Sequence, residues 1–319
     1  MMTSAKKLLW NILSVLLVVA VFYFLGRELL KNWEQIKSYE FRFSGPLLFA
    51  ASAVYAITLT VFAIGWRIIL QHLHYRISLK EIWLYFCITQ PAKYIPGKIW
   101  MPVTRMKFCK PCGVPNSITL LSTGIEGVME IFAGSYVAVT ALLQAEFLSS
   151  FAIWGTIAVG GGGLILLYPP IFYFFINLYL RIVKQPLIPK NMQTSFWQLV
   201  LLQIIYIIGM LGLGVSQFLF LQSFAAVPAQ YAALLISIGT FSIVASILAF
   251  FAPAGLGVRE GIWYVALKNI SMPSVALIYA FVSRLWMIIV EALLAFIALP
   301  LFLVRQRKAR MTNALRPPL

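Results

Sequence analysis

The sequence predicts an all-α, polytopic integral membrane protein, and two features of its composition support this. Hydrophobic residues make up 61% of the 319 residues and charged residues only 11%, whereas soluble domains average roughly 45–50% apolar and about 25% charged residues. The mean hydropathy is +0.91. Apolar runs of the length that crosses a hydrocarbon layer of about 30 Å also recur along the chain. We therefore predict about eight transmembrane helices together with two segments that are broken by Pro and Gly or are re-entrant.

The predicted spans follow one another with few polar residues between them. Unbroken apolar runs lie at about residues 8–25, 46–66, 116–143, 150–178, 196–222, 230–252 and 274–304. Each is long enough for a helical span. Residues 195–252 carry no charge, so we predict that these two spans are scaffold or lipid-facing wall. Gly209, Gly212 and Gly214 lie in this part and predict close helix packing.

Two further apolar stretches, at about residues 82–103 and 253–268, are interrupted by helix-breaking residues. The candidate hinge residues are Pro91, Pro96, Gly97, Pro253, Gly255 and Gly257. The segments Pro91–Arg105 and Pro253–Trp263 each contain Pro-Ala, a glycine, an arginine and an Ile-Trp pair. In lipid, irregular backbone persists only where protein or a wet cavity surrounds it. Breaks at corresponding places in two halves are typical of repeat-built transporters.

These observations predict one transmembrane domain, residues 1–319, built as an inverted repeat. The first half covers about 1–145 and contains the break at 82–103, and the second covers about 146–304 and contains the break at 253–268. Residues 305–319 form a basic tail. Lys6 and Lys7 precede the first apolar run without a convincing cleavage site, so we expect an uncleaved first span. Lys and Arg fall on the two sides in a ratio of roughly seventeen to four, which predicts an inner-membrane protein with both termini in the cytoplasm.

The polar composition disfavours several classes of function. All nine acidic residues are Glu and no Asp is present, so mechanisms built on Asp dyads or Asp-rich metal motifs are excluded. The two histidines, His72 and His74, form no zinc-protease motif. The net charge of +16 is dispersed over short loops and the tail, which favours membrane topology over nucleic-acid binding. We predict no cofactor.

Three cysteines, Cys87, Cys109 and Cys112, are too few for a disulfide framework. Cys109 and Cys112 form a C-x-x-C on the same predicted side as the two histidines, so a zinc site can be assembled on paper. The spacing fits no common zinc module, and two thiols flanking a turn are the alternative. We predict no metal site and assign no role to this C-x-x-C.

Charged side chains in or beside the spans are the candidate substrate-binding residues. They are Arg105, Glu126, Glu130, Arg259, Glu260, Arg284 and Glu291. A charge at the centre of a bilayer helix costs at least about 2.5–3.5 kcal/mol, so such residues are functional candidates. We predict that Glu126 and Glu130 face Arg259 or Arg284 in a polar cavity bordered by both breaks. Half-helix N-termini and arginines together favour an anion such as a lipid phosphate.

Two alternatives assign these charges no substrate. Lys93, Lys98 and Arg105 would then be cationic side chains that reach from the span to the cytoplasmic interface. The charges inside the long spans would form buried ion pairs that fix the register of the helices.

The motifs resemble those of the transmembrane region of lysylphosphatidylglycerol synthases and their stand-alone relatives. The resemblance rests on Pro96 and Gly97 with Arg105, on Glu126, on the Pro-x-Gly-x-Gly-x-Arg-Glu stretch from Pro253 to Glu260, and on Arg284. It implies a flippase-like domain that moves an anionic or aminoacylated phospholipid between leaflets. Full-length members also carry a soluble synthase domain. This chain ends fifteen residues after its last predicted span, so we expect no aminoacyl-transferase activity and a transporter rather than an enzyme.

Three other functions remain open. The Lys93–Trp100 stretch also resembles a branch of envelope glycosylation proteins, which favours handling of a polyprenyl-phosphate-linked sugar. A membrane-embedded transferase on a lipid phosphate would use Glu126 or Glu260 as general base. A scaffold for envelope biosynthesis enzymes would need neither Arg259 nor Glu260. The expected partners are membrane lipids, of the phosphatidylglycerol or polyprenyl-phosphate type, with envelope biosynthesis enzymes as candidate protein partners and no nucleic acid.

Overall fold

The computed structural model describes most of the chain from residue 43 onward. The described residues are 27, 30, 43–95, 99–143, 162–163, 165–182, 187–190, 193–249, 255, 257–268 and 270–314. Within these ranges all regular secondary structure is helical. The predicted span at 8–25 and most of the first half of the predicted span at 150–178 lie outside the described residues.

Nine α-helices make up the described fold. They are α1 (Gly45–His72), α2 (Leu79–Thr89), α3 (Trp100–Cys109), α4 (Asn116–Leu143), α5 (Pro169–Ile182), α6 (Phe196–Gln222), α7 (Ala232–Leu248), α8 (Val258–Leu267) and α9 (Pro273–Ala314). Short 3-10 helices cover Gln90–Tyr94, Lys110–Cys112 and Ala229–Tyr231.

Four of the described helices are long and apolar enough to cross a membrane. These spans are Gly45–His72, Phe196–Gln222, Ala229–Leu248 and Pro273–Arg305. They confirm the predicted runs at 46–66, 196–222, 230–252 and 274–304. α4 coincides with the predicted run at 116–143. The total of about eight spans remains a prediction.

The centre of the bundle is the packing of α1 against α6, which also contacts α4 and α7. Gly209 and Gly212 face α1, and a Cβ at Gly212 would lie 2.5 Å from the Thr58 hydroxyl oxygen. Gly214 faces α7, where a Cβ would lie 2.5 Å from the backbone oxygen of Ile236. Small residues let helix backbones approach closely in membranes, so the predicted packing role of this cluster is confirmed.

Both predicted breaks contain irregular backbone. In the first, α2 ends at Thr89, the 3-10 helix contains Pro91, and Ile95 is extended. In the second, Gly255 and Gly257 have φ angles of 69° and 85°, a left-handed region that favours glycine because other residues clash there. Pro96, Gly97 and Pro253 lie outside the described residues.

A ten-residue helix follows each break and packs on the next long helix. α3 packs on α4, and α8 packs on α9. This shared arrangement is what a repeat requires, although the inverted repeat itself stays a prediction.

The predicted basic tail, residues 305–319, begins within the last helix. α9 continues to Ala314, so residues 305–314 extend the helix. Arg305 lies 3.2 Å from the Glu81 carboxylate at the start of α2. This ion pair connects the end of the last span to α2.

Candidate functional site

The first charged pair of the site joins α3 to α4. Arg105 is fully buried and its two terminal nitrogens both donate to the Glu126 carboxylate, with Nη2 at 3.3 Å from Oε1. The guanidinium lies 4.3 Å from the ring centre of Trp66 and 5.0 Å from that of Phe86. A planar guanidinium is suited to paired hydrogen bonds and to stacking on aromatic rings. Arg105 is therefore held inside the protein, so it does not reach the interface as the alternative interpretation proposed.

Side chains around this pair fix its position. The Trp66 indole donates a 3.0 Å hydrogen bond to the hydroxyl of Ser122, which lies one helical turn before Glu126 on α4. Trp66 thus contacts Arg105 with its ring and α4 with its nitrogen. The α3–α4 pair is accordingly tied to α1 as well.

The second charged pair joins α8 to α9 with the signs reversed. Arg284 on α9 donates a 2.6 Å hydrogen bond to Glu260 on α8. The other carboxylate oxygen of Glu260 accepts a 2.8 Å hydrogen bond from the backbone N–H of Gly257. An anion is stabilised at a helix N-terminus by the free N–H groups there. The break at Gly257 therefore positions Glu260, and Glu260 positions Arg284.

Arg259 is a buried cation that has no carboxylate partner among the described residues. Its Nη2 donates a 2.8 Å hydrogen bond to the side-chain oxygen of Gln217, which also accepts a 3.1 Å bond from the Trp263 indole. Tyr279 donates a 3.0 Å bond to the backbone oxygen of Gln217. The Nε of Arg259 is buried and has no hydrogen-bond partner in the described part of the chain. Arg259 is thus held by neutral groups, and its charge is left uncompensated by these contacts.

A third ion pair ties the first break to α9. Lys93 donates a 2.7 Å hydrogen bond to the Oε1 of Glu291 and a 3.2 Å bond to the Gln90 side chain. Tyr55 on α1 donates to the same Glu291 oxygen. The other oxygen of Glu291 is buried without a hydrogen-bond partner in the described part. Glu291 therefore connects α1, α9 and the first break.

Tyr94, in the first break, lies close to two cationic side chains. Its ring centre is 5.3 Å from the Lys93 amine and 5.8 Å from the Arg284 guanidinium carbon. Arg259 interacts electrostatically with Tyr94 and with Tyr55. Tyr94 of the first break and Glu260 of the second therefore both lie beside Arg284, while the polar cavity predicted between the breaks stays a prediction.

Glu130 is the one described Glu without an ion pair. It lies one turn beyond Glu126 on α4, is half-buried, and makes no hydrogen bond within the described ranges. It interacts electrostatically with Glu126, Arg105 and Lys93. The site therefore holds one carboxyl group without an ion pair in the described ranges, Glu130, as well as one cation, Arg259, whose hydrogen bond goes to a neutral group.

The predicted pairing of Glu126 and Glu130 with Arg259 or Arg284 was wrong. Glu126 pairs with Arg105, not with Arg259 or Arg284, because α3 folds back directly onto α4. Arg284 pairs with Glu260, and Glu291 pairs with Lys93.

Four site residues were missed: Tyr55, Lys93, Tyr94 and Gln217. Gln217 is a buried amide within the apolar part that was predicted as scaffold or lipid-facing wall, and its polar side chain was the available signal.

The C-x-x-C lies at the C-terminal end of α3. Cys109 is buried and Cys112 is exposed, with its sulfur 3.3 Å from the Tyr85 hydroxyl. Among the residues that the structure describes, no three His, Cys or Glu side chains come together as a metal site. The geometry gives no support to zinc binding by the two cysteines and two histidines.

A family model described as the lysylphosphatidylglycerol synthase TM region matches residues 11–295, which include both breaks and the ion pairs Arg105–Glu126, Glu260–Arg284 and Lys93–Glu291. No curated protein matches the chain. The match covers most of the sequence, and the protein belongs to this family of multi-pass membrane proteins that handle lipids.

Proposed function

We propose that the protein is a flippase-like lipid translocase that moves an anionic or aminoacylated phospholipid between the leaflets of the inner membrane. The observation that carries the proposal is the buried cation Arg259, which lies in the second broken segment and whose hydrogen bond among the described residues goes to the neutral side chain of Gln217. An unpaired ionisable group in a membrane-spanning bundle is costly, which makes a ligand its natural partner.

The cation end of the site binds the lipid phosphate. Gln217 and Trp263 hold Arg259 in place without neutralising it, so its remaining N–H groups are available for phosphate oxygens. Arg284 lies 5.8 Å from the Tyr94 ring centre, but its charge is compensated by Glu260, so Arg259 is the cation that contacts the phosphate. The acyl tails remain in lipid while the head group occupies the polar cluster.

The Glu130 carboxyl group selects the head group. Glu130 carries no ion-pair partner within the described residues and is the candidate contact for an amino group on an aminoacylated lipid. Arg105, Glu126, Glu260 and Glu291 are engaged in ion pairs, and in this mechanism they hold the segments that carry the binding groups. Glycines with positive φ at Gly255 and Gly257 supply the backbone freedom for movement.

The membrane potential is a sufficient bias for transport of a charged lipid. One elementary charge is worth about 2.3 kcal/mol per 100 mV. We propose that both termini face the cytoplasm, in line with the distribution of Lys and Arg.

The test is transport of labelled lipids by the full chain in proteoliposomes. Three lipids are compared: phosphatidylglycerol, an aminoacyl-phosphatidylglycerol and a polyprenyl-phosphate sugar. We expect Arg259→Gln to slow transport of the accepted lipid at least tenfold, because it removes the phosphate contact. Glu130→Gln should slow the aminoacylated lipid and leave phosphatidylglycerol unchanged.

Matched variants separate loss of binding from loss of fold. Lys107→Gln removes an exposed cation on α3 and should transport at the wild-type rate. Gel filtration and thermal unfolding in detergent report whether each variant is folded. Unchanged transport in folded Arg259→Gln protein would remove the site assignment, and no transport of any of the three lipids by the wild type would refute the proposed activity.

A further inference from the structure

A second polar site lies at the end of α1, away from the charge cluster. A cavity of about 540 Å³ is lined by Arg67, Gln71, Arg76, Ile77 and Ser78, where the chain turns from α1 into α2. Arg67 lies roughly 18 Å further along α1 than Tyr55, at about 1.5 Å per residue. Because α1 is a membrane-crossing helix that ends at His72, this cavity lies at the level of lipid head groups.

The positive charge of this cavity is not balanced by nearby carboxylates. Arg67 is half-buried and its Nε donates a 3.1 Å hydrogen bond to the backbone oxygen of Ile77, which aligns the guanidinium along the turn. Arg76 is exposed, and neither arginine forms an ion pair with a Glu in the described part of the chain.

The carboxylate of Glu81, in the first turn of α2, is already engaged. It lies 3.2 Å from Arg305 and accepts a 2.8 Å hydrogen bond from the Ser78 hydroxyl. Glu81 therefore does not neutralise the positive charge of Arg67 and Arg76.

We propose that this cavity binds a phosphate group. Two guanidinium groups supply forked N–H donors that match phosphate oxygens, and the Gln71 amide adds a further donor on the same wall. Arginines without carboxylate partners, next to an open volume, favour an anion over a cation or an apolar group. The phosphate belongs either to an anionic lipid at the membrane surface or to a soluble phosphate compound. The inference does not depend on the proposed translocase activity, since it uses none of the same residues.

The experiment is calorimetric titration of the full chain in detergent with two probes. One probe is dioctanoyl-phosphatidylglycerol and the other is inorganic phosphate. Arg76→Gln is the decisive variant, because the exposed Arg76 side chain holds no other element in place. Arg67→Gln is the second variant. Lys80→Gln is the matched control, because Lys80 is an exposed cation four residues later that does not line the cavity.

We expect Arg76→Gln and Arg67→Gln each to weaken binding about tenfold or more, and Lys80→Gln to leave it unchanged. Weakening seen only with the short-chain lipid identifies a lipid head group as the source, and weakening seen with inorganic phosphate identifies a soluble phosphate. Titrations repeated in Arg259→Gln protein distinguish this site from the central one, because the Arg76 effect should persist there. Equal affinity in wild type and Arg76→Gln, or equal weakening by Lys80→Gln, would overturn the proposal.

Discussion

Lys93, in the first broken segment, donates a 2.7 Å hydrogen bond to Glu291 on α9. The Glu291 side chain is fully buried, whereas that of Lys93 is 33% exposed. Tyr55 supplies the only other hydrogen bond to this carboxylate in the described structure. Lys93 is therefore the counter-charge that permits a carboxylate inside the bundle, and the pair connects the first break to the second half of the chain.

Removing Lys93 should destabilise the protein by leaving this carboxylate uncompensated. Removing one partner of a buried ion pair typically costs about 3–5 kcal/mol of stability. Because Lys93 is partly exposed, we expect Lys93→Met to cost about 3 kcal/mol or less. The double variant Lys93→Met with Glu291→Gln should recover most of the loss, since the substituted amide would be neutral and would still accept a bond from Tyr55. The free energy of unfolding, measured by SDS titration in mixed micelles, gives the coupling energy. If the losses of the two single variants add up to the loss of the double variant, Lys93 and Glu291 are not coupled.

Arg105→Lys should destabilise the protein although it preserves the charge. A lysine makes no paired hydrogen bonds to Glu126 and does not stack between Trp66 and Phe86 as the guanidinium does. Losing one charged hydrogen bond and part of the cation–π contact is worth about 2–4 kcal/mol. Unfolding in mixed micelles measures this cost. Lys107→Gln, an exposed change on the same helix, should stay within about 0.5 kcal/mol of wild type, and equal stability of the two variants would refute the role of the stacked guanidinium.

The sequence predicted the helices and breaks well because both depend on local composition. A run of apolar residues must be helical in lipid to satisfy its own backbone, and Pro91, Gly255 and Gly257 interrupt that helix by their own geometry. The pairing of Glu126 with Arg105 depends instead on α3 folding back onto α4, which no spacing along the chain specifies. Gln217 was missed for the same reason, because its importance comes from Arg259, 42 positions later.

Gln217→Glu should abolish transport while leaving the protein folded. The new carboxylate would lie at hydrogen-bond distance from Arg259, where the Gln217 oxygen lies at 2.8 Å, and would neutralise the cation proposed to bind the phosphate. We expect transport of an anionic lipid to fall at least tenfold, with a melting temperature no lower than that of wild type because the buried cation gains a partner. The proteoliposome assay and thermal unfolding measure the two effects. Gln217→Leu is the control, since it removes the hydrogen bond without neutralising Arg259, and should lower the melting temperature instead. Wild-type transport by Gln217→Glu would show that the charge of Arg259 is not used.

Two glycine-to-alanine changes should have opposite effects on stability. An added Cβ at Gly127 on α4 meets no atom within 4 Å, so Gly127→Ala should stabilise the protein by roughly 0.5–1 kcal/mol through the lower backbone entropy of the unfolded chain. An added Cβ at Gly212 would lie 2.5 Å from the hydroxyl of Thr58, which is buried between α1 and α6. Gly212→Ala should therefore force the two central helices apart at a cost of about 1–3 kcal/mol. SDS titration of both variants measures the difference, and a Gly212→Ala protein as stable as wild type would show that α1 and α6 are not held in this close contact.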